Sequence, residues 1–294
     1  MADPPREFSL SSRPLRSAFH ICRGPFCHPL MGYSWSDRTP LHEAAFRGRL
    51  LHMKNLIAKG YHANTLTLDR VSPLHEACLG GHYACIKFLL DQGANVQEVS
   101  TEGCTPLFYS CCSGDAACVR IMLQHGACIH APNQITSPVN EAAKRGRSDC
   151  LELLLAHGAQ LDMDQKDIGT PLYSACKARA EACATLLLRS GADVQLGCGQ
   201  DTPLHAAVRI GDATIVDLLL DFGADVHCRN SDGKTPLDLL PPSSPIRMAL
   251  QSRGPSSLSE LCRFCIRRSL GRTRLHKASC LHLPQRLTDF LLYQ

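Results

Sequence analysis

The residues of this 294-residue chain best suited to chemistry lie in the stretch SPLHEACLGGH, where His75 and Glu76 precede His82. A His-Glu pair on a helix is typical of zinc hydrolases, whose HExxH motif supplies two metal ligands and a general base. That motif needs its second His four positions after the first, and here the position is Leu79. The stretch therefore does not fit a zinc site.

Two further groups of Cys and His have spacings that resemble metal ligands. One is Cys262, Cys265, His276 and Cys280, close to the spacing of a zinc finger, and the other is His20, Cys22, Cys27 and His28. A finger needs a tight turn between its paired cysteines, and CRFC contains no Gly or other turn residue. We favour an apolar helix face for the first group and a simple chain extension for the second, and predict no cofactor.

A repeat that begins with Thr or Ser, Pro and an apolar residue runs through most of the chain. Its units start at Thr39, Ser72, Thr105, Ser137, Thr170, Thr202 and Thr235, at intervals of 32 or 33 residues. A Gly follows each of the first six starts after 21 residues, from Gly60 to Gly223, so the length changes fall in the loop beyond it. Such self-similarity is the sequence signature of a repeat protein.

Each unit predicts two short helices. Thr or Ser caps the first helix, and Pro takes its first position, where no backbone N–H is needed. The second helix carries an apolar pair such as Leu89 and Leu90 and ends at a Gly suited to the left-handed conformation. One unit cannot bury its apolar faces alone, so the units must stack to form a core.

These units resemble the ankyrin repeat. The plainest matches are TPLHEAA at 39–45, SPLHEAC at 72–78 and TPLHAAV at 202–208. The resemblance covers residues 37–252, as six full units and a truncated seventh. It implies an all-α solenoid of helix-turn-helix units with β-hairpin-like turns. In ankyrin repeats the His of this motif bridges neighbouring turns by hydrogen bonds, which implies a structural role for His75; its counterpart Phe108 cannot make these bonds.

The cysteines follow the same period. Cys85, Cys118, Cys150 and Cys183 lie 13 residues into their units, and Cys78, Cys111 and Cys176 lie six residues in. Residues at one repeat position recur about 8–10 Å apart, whereas metal-binding sulfurs must lie ~2.3 Å from one centre. We therefore predict reduced cysteines that pack as small apolar side chains in the core.

A different module follows the repeats. Residues 239–257 are rich in Pro and Ser and predict the end of the stack and a linker, and residues 253–294 resemble a SOCS box. The elongin-binding pattern of that box, small-Leu-x3-Cys-x3-aliphatic, is matched by Ser257, Leu258, Cys262 and Ile266. The cullin-binding pattern is matched by Leu283 and Pro284 followed by Leu287, with Gln285 and Arg286 in place of its final hydrophobic residue and Pro.

Ankyrin repeats followed by a SOCS box characterise one family, and this chain is identified as a member of it by that resemblance. The family implies a non-catalytic substrate-recognition subunit of a ubiquitin ligase. Its implied partners are elongins B and C, cullin-5 with its RING subunit, and an unidentified protein substrate, with no nucleic acid and no membrane. The implied elongin-binding residues are Leu258, Leu261, Cys262 and Ile266, and the implied cullin-binding residues are Leu283, Pro284 and Leu287.

Ankyrin stacks usually bind through their turns and the exposed side of their first helices. Seven and eight residues into the units, the side chains change from apolar in the first three units to basic in the next three. The candidate substrate-binding residues are Trp35, Phe46, Arg47, Leu79, Lys144, Arg145, Lys177 and Arg209. This face predicts a partner with an apolar and an acidic portion; the alternative is a solvated face that binds nothing.

Residues 1–36 are interpreted as a flexible extension whose apolar end, including Trp35, packs on the first repeat. They lack the charged start and apolar run of a signal peptide, and no window of roughly 20 apolar residues predicts a membrane span. We expect a cytoplasmic protein, with the nucleus as a second location.

The main alternative function is an ankyrin scaffold that uses a basic segment. Residues 253–277 carry seven Lys or Arg against one acidic residue, Glu260, and could bind the phosphates of nucleic acid or of an acidic membrane. Arg263, Arg267, Arg268 and Arg274 nevertheless interleave with apolar residues, as the wet face of an amphipathic helix does.

Overall fold

The computed structural model describes residues 37–130, 137–165 and 167–252, with the single residues Ile266 and Arg286. The first helices of six successive repeats are α1 (Pro40–Phe46), α3 (Pro73–Leu79), α5 (Pro106–Ser113), α7 (Pro138–Lys144), α9 (Pro171–Lys177) and α11 (Pro203–Ile210). The second helices are α2 (Leu50–Ala58), α4 (Tyr83–Asp91), α6 (Ala116–Gln124), α8 (Ser148–Ala156), α10 (Glu181–Arg189) and α12 (Ala213–Asp221). A 3-10 helix, Pro236–Leu239, and α13, Pro245–Ser252, follow.

The first helices begin as the sequence predicts. Pro occupies the start of each one, after a Thr or Ser in extended conformation, and the side chains of Thr105, Ser137 and Thr170 accept hydrogen bonds from backbone N–H groups three residues on. These helices have only seven or eight residues. Isolated helices shorter than about 12–15 residues are marginal in water, so packing between repeats must hold them in shape.

The helices pack in two rows. Each first helix contacts the first helix of the next repeat, from α1 to α11, and the second helices form a parallel row from α2 to α12. Apolar side chains such as Met53, Leu89 and Leu151 fill the space between the rows and are completely buried. Within the described residues the turns contain two isolated β-bridges, and no helix there could cross a membrane. The predicted all-α solenoid is confirmed.

Buried histidines join each of three repeats to the next turn. His42, His75 and His205 accept at Nδ1 from the backbone N–H of the capping Thr or Ser, and Nε2 lies 3.0, 3.3 and 3.1 Å from the carbonyl oxygens of Val71, Cys104 and Lys234. A carbonyl oxygen only accepts, so Nε2 carries the proton in each ring. Burial lowers the pKa of His75 to about 4, which keeps its ring neutral. The structural interpretation of this motif is confirmed.

Other side chains replace the histidine in the middle repeats. Asn140 donates from Nδ2 to the carbonyl oxygen of Gly169 and to Gln165 Oε1, both at 2.9 Å, and so bridges the same interval of 29 residues as His75. Phe108 instead packs edge-on against Tyr109, whose ring also meets His75. The side-chain amide of Asn can therefore form the same hydrogen bond to the next turn as the imidazole of His.

The cysteines predicted to fill the core do so. All seven at the two repeat positions are buried, with exposed fractions of 0–1%. Burial raises the pKa of Cys78 to about 12 and the pKa values of Cys150 and Cys183 to about 11. Their thiols are protonated at neutral pH and serve as small apolar groups.

The sequence places the end of a truncated seventh unit at residue 252, and α13 lies within that unit, whereas the rest of the predicted linker lies outside the described residues. Pro245 starts this helix, and Ile246 and Leu250, four residues apart, are only 7% and 5% exposed. The apolar pair gives the segment a buried face, which outweighs the Pro- and Ser-rich composition before it.

We expect His75→Ala to lower the free energy of unfolding by about 1–3 kcal/mol, because it leaves the buried Ser72 N–H without its acceptor and removes one of two hydrogen bonds to the Cys104 carbonyl, which also accepts from the Ser100 N–H. His75→Asn should cost less, since Asn140 makes the equivalent bridge. Urea unfolding of both variants measures this difference. His157→Ala is the control, because the hydrogen bond that this exposed ring makes among the described residues goes to the Leu153 carbonyl of the adjoining helix α8. Equal losses from the Ala and Asn variants would contradict the bridging role.

Brief alkylation of the native chain with iodoacetamide, followed by peptide mapping, should modify the exposed Cys128 well before Cys78, Cys150 or Cys183. Only the thiolate reacts, and burial both raises the pKa of these three thiols and blocks access to them. In denaturant all four should react at similar rates. Rapid native modification of Cys150 would show that the core opens at that repeat.

Candidate recognition surface

One face of the stack is formed by the last turns of the six first helices. The residues seven positions into the repeats are Phe46, Leu79, Cys112, Lys144, Lys177 and Arg209. Phe46 and Leu79 are half-buried and Cys112 is buried, whereas the three basic residues are exposed. We call this face the recognition surface. The structure places the candidate substrate-binding residues of successive repeats side by side. That they bind a substrate stays a prediction.

Three of the predicted basic residues form ion pairs with carboxylates of the same chain. Arg47 lies 2.5 Å from Glu43, Arg145 pairs with Glu141, and Arg209 Nη1 lies 2.9 Å from an oxygen of Asp201. The first two pairs join residues four apart in sequence. Their charges are thus offset locally. Lys144 and Lys177 have no ion pair with any part of the chain that the structure describes.

The sequence reasoning missed a buried carboxylate on this surface, that of Glu76. Its side chain is 1% exposed, and Oε1 lies 2.6 Å from Nη2 of Arg38, which precedes the first repeat. In repeats one and four an Arg follows the corresponding Glu by four residues, but after Glu76 that place is Gly80. Arg38, which lies just before the first repeat, supplies the missing cation. The missing Arg in SPLHEACLG, compared with TPLHEAAFR, was the signal available in the sequence.

The surroundings of Glu76 are largely apolar. The Arg38 guanidinium lies 6.0 Å from the centre of the Phe46 ring, and Tyr109 stands at the corresponding position of the next repeat. Burial raises the pKa of Glu76 to about 7; Arg38 opposes this shift and Glu43 adds to it. Oε2 has no hydrogen-bond partner in the described chain. The ionised carboxylate is therefore held at an energetic cost.

Asp201 organises the other end of the surface. Besides pairing with Arg209, its carboxylate accepts a hydrogen bond at 3.1 Å from Asn230 and one at 3.5 Å from the Tyr173 hydroxyl. Partial burial acts to raise the pKa of Asp201, but the hydrogen bonds from Arg209 and Asn230 hold it below its ordinary value. This network fixes Arg209 in place, so that side chain is less available to a partner than its exposure suggests.

Several predicted site residues lie outside the described residues. They are Trp35, Leu258, Leu261, Cys262, Leu283, Pro284 and Leu287, together with both groups of Cys and His that have metal-like spacing. Ile266 is described: it is helical, and 42% of its side chain is exposed. Among the residues that are described, no three His, Cys, Asp or Glu side chains are grouped to hold a metal ion. Both ring nitrogens of His75 are occupied by the bonds described above.

Comparison with protein-family models identifies both parts of the chain. Models of ankyrin repeats match residues 41–133, 130–198 and 186–240, and a model of the SOCS box matches residues 254–292. The fold and the match together define a protein with ankyrin repeats and a SOCS box.

Known relatives have the same two parts, ankyrin repeats and a SOCS box. Ankyrin repeat and SOCS box protein 11 of Danio rerio is 52% identical over 94% of this chain and 94% of its own length. Ankyrin repeat and SOCS box protein 9 of Mus musculus is 52% identical over 90% of this chain and 92% of its own. The crystal structure of the human ASB11 ankyrin repeat domain superimposes with a TM-score of 0.71 at 49% identity and covers 75% of this chain and 100% of that domain. The chain belongs to the ankyrin repeat and SOCS box family.

The raised pKa of Glu76 predicts a specific pH dependence of stability. The folded protein holds a proton on Glu76 up to a pH of about 7, against about 4.5 for an ordinary Glu, so ionisation destabilises the fold as the pH rises across this interval. Glu76→Gln cannot ionise. Its Tm relative to wild type should therefore increase from pH 4.5 to pH 7 and then level off.

The comparison with wild type isolates the effect of Glu76. His75 also makes stability depend on pH, with the opposite sign, but it does so in both proteins and cancels in the difference. Burial lowers the pKa of His75, so that residue loses stability as the pH falls below its ordinary value. Glu152→Gln, at an exposed position in α8, is the control and should give a constant difference in Tm. A constant difference for Glu76→Gln as well would contradict the raised pKa.

Proposed function

We propose that this chain is a substrate-recognition adaptor of a ubiquitin ligase assembled on elongins B and C and cullin-5. The ankyrin stack binds the target protein, the SOCS box binds the elongins and the cullin, and the bound target is ubiquitinated. The observation that carries the proposal is the pairing of an ankyrin stack with a SOCS box in one chain of this family. The adaptor itself is non-catalytic: it holds the target near an enzyme that the cullin recruits.

The elongin contact is proposed to be an apolar helix face in a partner groove. Leu258 is the main anchor, Cys262 fills a tight pocket, and Leu261 and Ile266 extend the contact. Ile266 supports this assignment, since it is helical and leaves 42% of an apolar side chain exposed to solvent. An apolar residue so placed gains from a partner that covers it.

The cullin contact is proposed at Leu283, Pro284 and Leu287. The family pattern places a hydrophobic residue and a second Pro after Leu-Pro, and this chain has Gln285 and Arg286 there. Arg286 is exposed, and a charged side chain gains little by burial in an apolar pocket. We therefore assign the cullin a weaker contact than the elongins. The proposed location of the complex is the cytoplasm, with the nucleus as a second site.

Co-expression with elongins B and C tests the adaptor role. Wild type should co-purify with both elongins as a stable ternary complex. The double variant Leu258→Ala, Cys262→Ala should lose them, because truncating a buried interface anchor typically costs ~2–4 kcal/mol. The fraction of elongin retained on the tagged chain is the measurement.

The matched control is Leu68→Ala, Cys128→Ala, which makes the same two chemical changes at exposed positions of the repeats. This control should retain both elongins. A wild-type chain that purifies without elongins, or a loss that is equal in the control, would overturn the proposal. In the first case the basic residues 253–277 would become the next candidate for function.

A further inference from the structure

Three positive charges on the recognition surface are not offset by any carboxylate of the described chain. Lys144 and Lys177 are exposed and end the consecutive first helices α7 and α9. Arg179 follows, and its Nη2 donates at 2.6 Å to the carbonyl oxygen of Ile210 in the next repeat. Lys144 thus lies in repeat four, and Lys177 and Arg179 both lie in repeat five, from which Arg179 reaches repeat six.

Three carboxylates of the same repeats already have partners. Glu141 pairs with Arg145, and Asp201 pairs with Arg209. Asp212 caps α12, where it accepts from the Ile215 N–H and the Thr214 hydroxyl. These three carboxylates are engaged elsewhere, and Lys144, Lys177 and Arg179 form no ion pair within the described chain.

Helix stability alone does not account for these cations. A cation in the last turn does favour a helix, but Phe46, Leu79 and Cys112 hold the same place in the first three repeats. Arg179 has a φ of 58°, at a position where each of the other five repeats has Gly. L-residues adopt this left-handed conformation at a cost, so the backbone favours Gly over any residue with a side chain here.

The spacing of the charges matches one kind of partner chain. Neighbouring packed helices lie about 8–10 Å apart, so Lys144 and Lys177 recur at about that interval. A polyproline II segment has three residues per turn and rises 3.1 Å per residue, so every third side chain returns to one face after about 9.3 Å. Acidic residues at every third position of such a segment would meet successive cations.

We propose that repeats four to six bind an extended acidic segment of the target protein, with Asp or Glu at every third residue, through Lys144, Lys177 and Arg179. This inference rests on the proposed adaptor role, because the segment belongs to the protein that the adaptor recruits. Glu141 and Asp201 stand among the cations and favour spaced carboxylates over a nucleic acid, whose every residue carries a phosphate.

Fluorescence anisotropy on the full-length chain tests the inference. The probe is a labelled peptide of three Glu-Pro-Ala repeats, and the comparison peptide has the same composition with its three Glu residues adjacent. The spaced peptide should bind more tightly, and added salt should weaken it. The variant Lys144→Glu, Lys177→Glu should lose about tenfold or more in affinity, from two lost attractions and two new repulsions.

The control is Lys87→Glu, Arg120→Glu, which makes the same change in net charge on the exposed sides of α4 and α6. It should bind as wild type does. Arg179→Gly is a second variant: it should weaken binding with little change in Tm, because relief of the left-handed backbone offsets the lost hydrogen bond to the Ile210 carbonyl. A purely structural Arg179 would instead leave binding unchanged.

Three results would overturn the inference: no binding of the spaced peptide, equal binding of both peptides, or equal loss in the control variant. Tighter binding of a labelled single-stranded oligonucleotide, weakened by the same Lys variants, would show a nucleic-acid surface instead. The measurement is repeated on the elongin complex. If the chain binds the spaced peptide but does not bind elongins, the inference about this surface stands and the proposed adaptor role is wrong.

Discussion

The apolar faces of each short helix pair can be buried only against the next pair, and the rest of the structure depends on this constraint. Helices of seven to nine residues do not persist alone, so every repeat is held by its neighbours. Buried polar groups between neighbouring repeats also need hydrogen-bond partners. His42, His75 and His205 provide them by donating to backbone carbonyl oxygens of the following turn. The packing contacts between neighbours recur once in each repeat, which is why the sequence pattern recurs at the same interval.

A stack of this kind places equivalent residues on one face at a regular interval, which makes departures from the pattern informative. Gly80 takes the place where repeats one and four carry an Arg, and Arg38, which precedes the first repeat, pairs with the buried Glu76. Arg179 takes the place of a Gly and holds a left-handed backbone. Both departures lie on the same surface, and both change its charge.

The molecule is suited to holding another protein. Many of the described titratable groups are engaged in caps, ion pairs and contacts between repeats, and the buried thiols are kept protonated by their surroundings. A rigid row of first helices offers a partner an extended set of contacts with little loss of conformational freedom on binding. An adaptor needs this property, since the chemistry belongs to other subunits of the proposed ligase.

The sequence by itself determined the repeat boundaries, the capped starts of the helices, the glycine stops and the burial of the cysteines, because each is local or recurs with the period. It also specified the SOCS box, whose residues apart from Ile266 and Arg286 lie outside the described structure. Only the tertiary structure decided that Arg209 is held by Asp201, that Arg38 meets Glu76, and that Ile246 buries a face of α13. These outcomes depend on which side chains meet across turns and neighbouring repeats, and residue type and spacing do not encode such encounters.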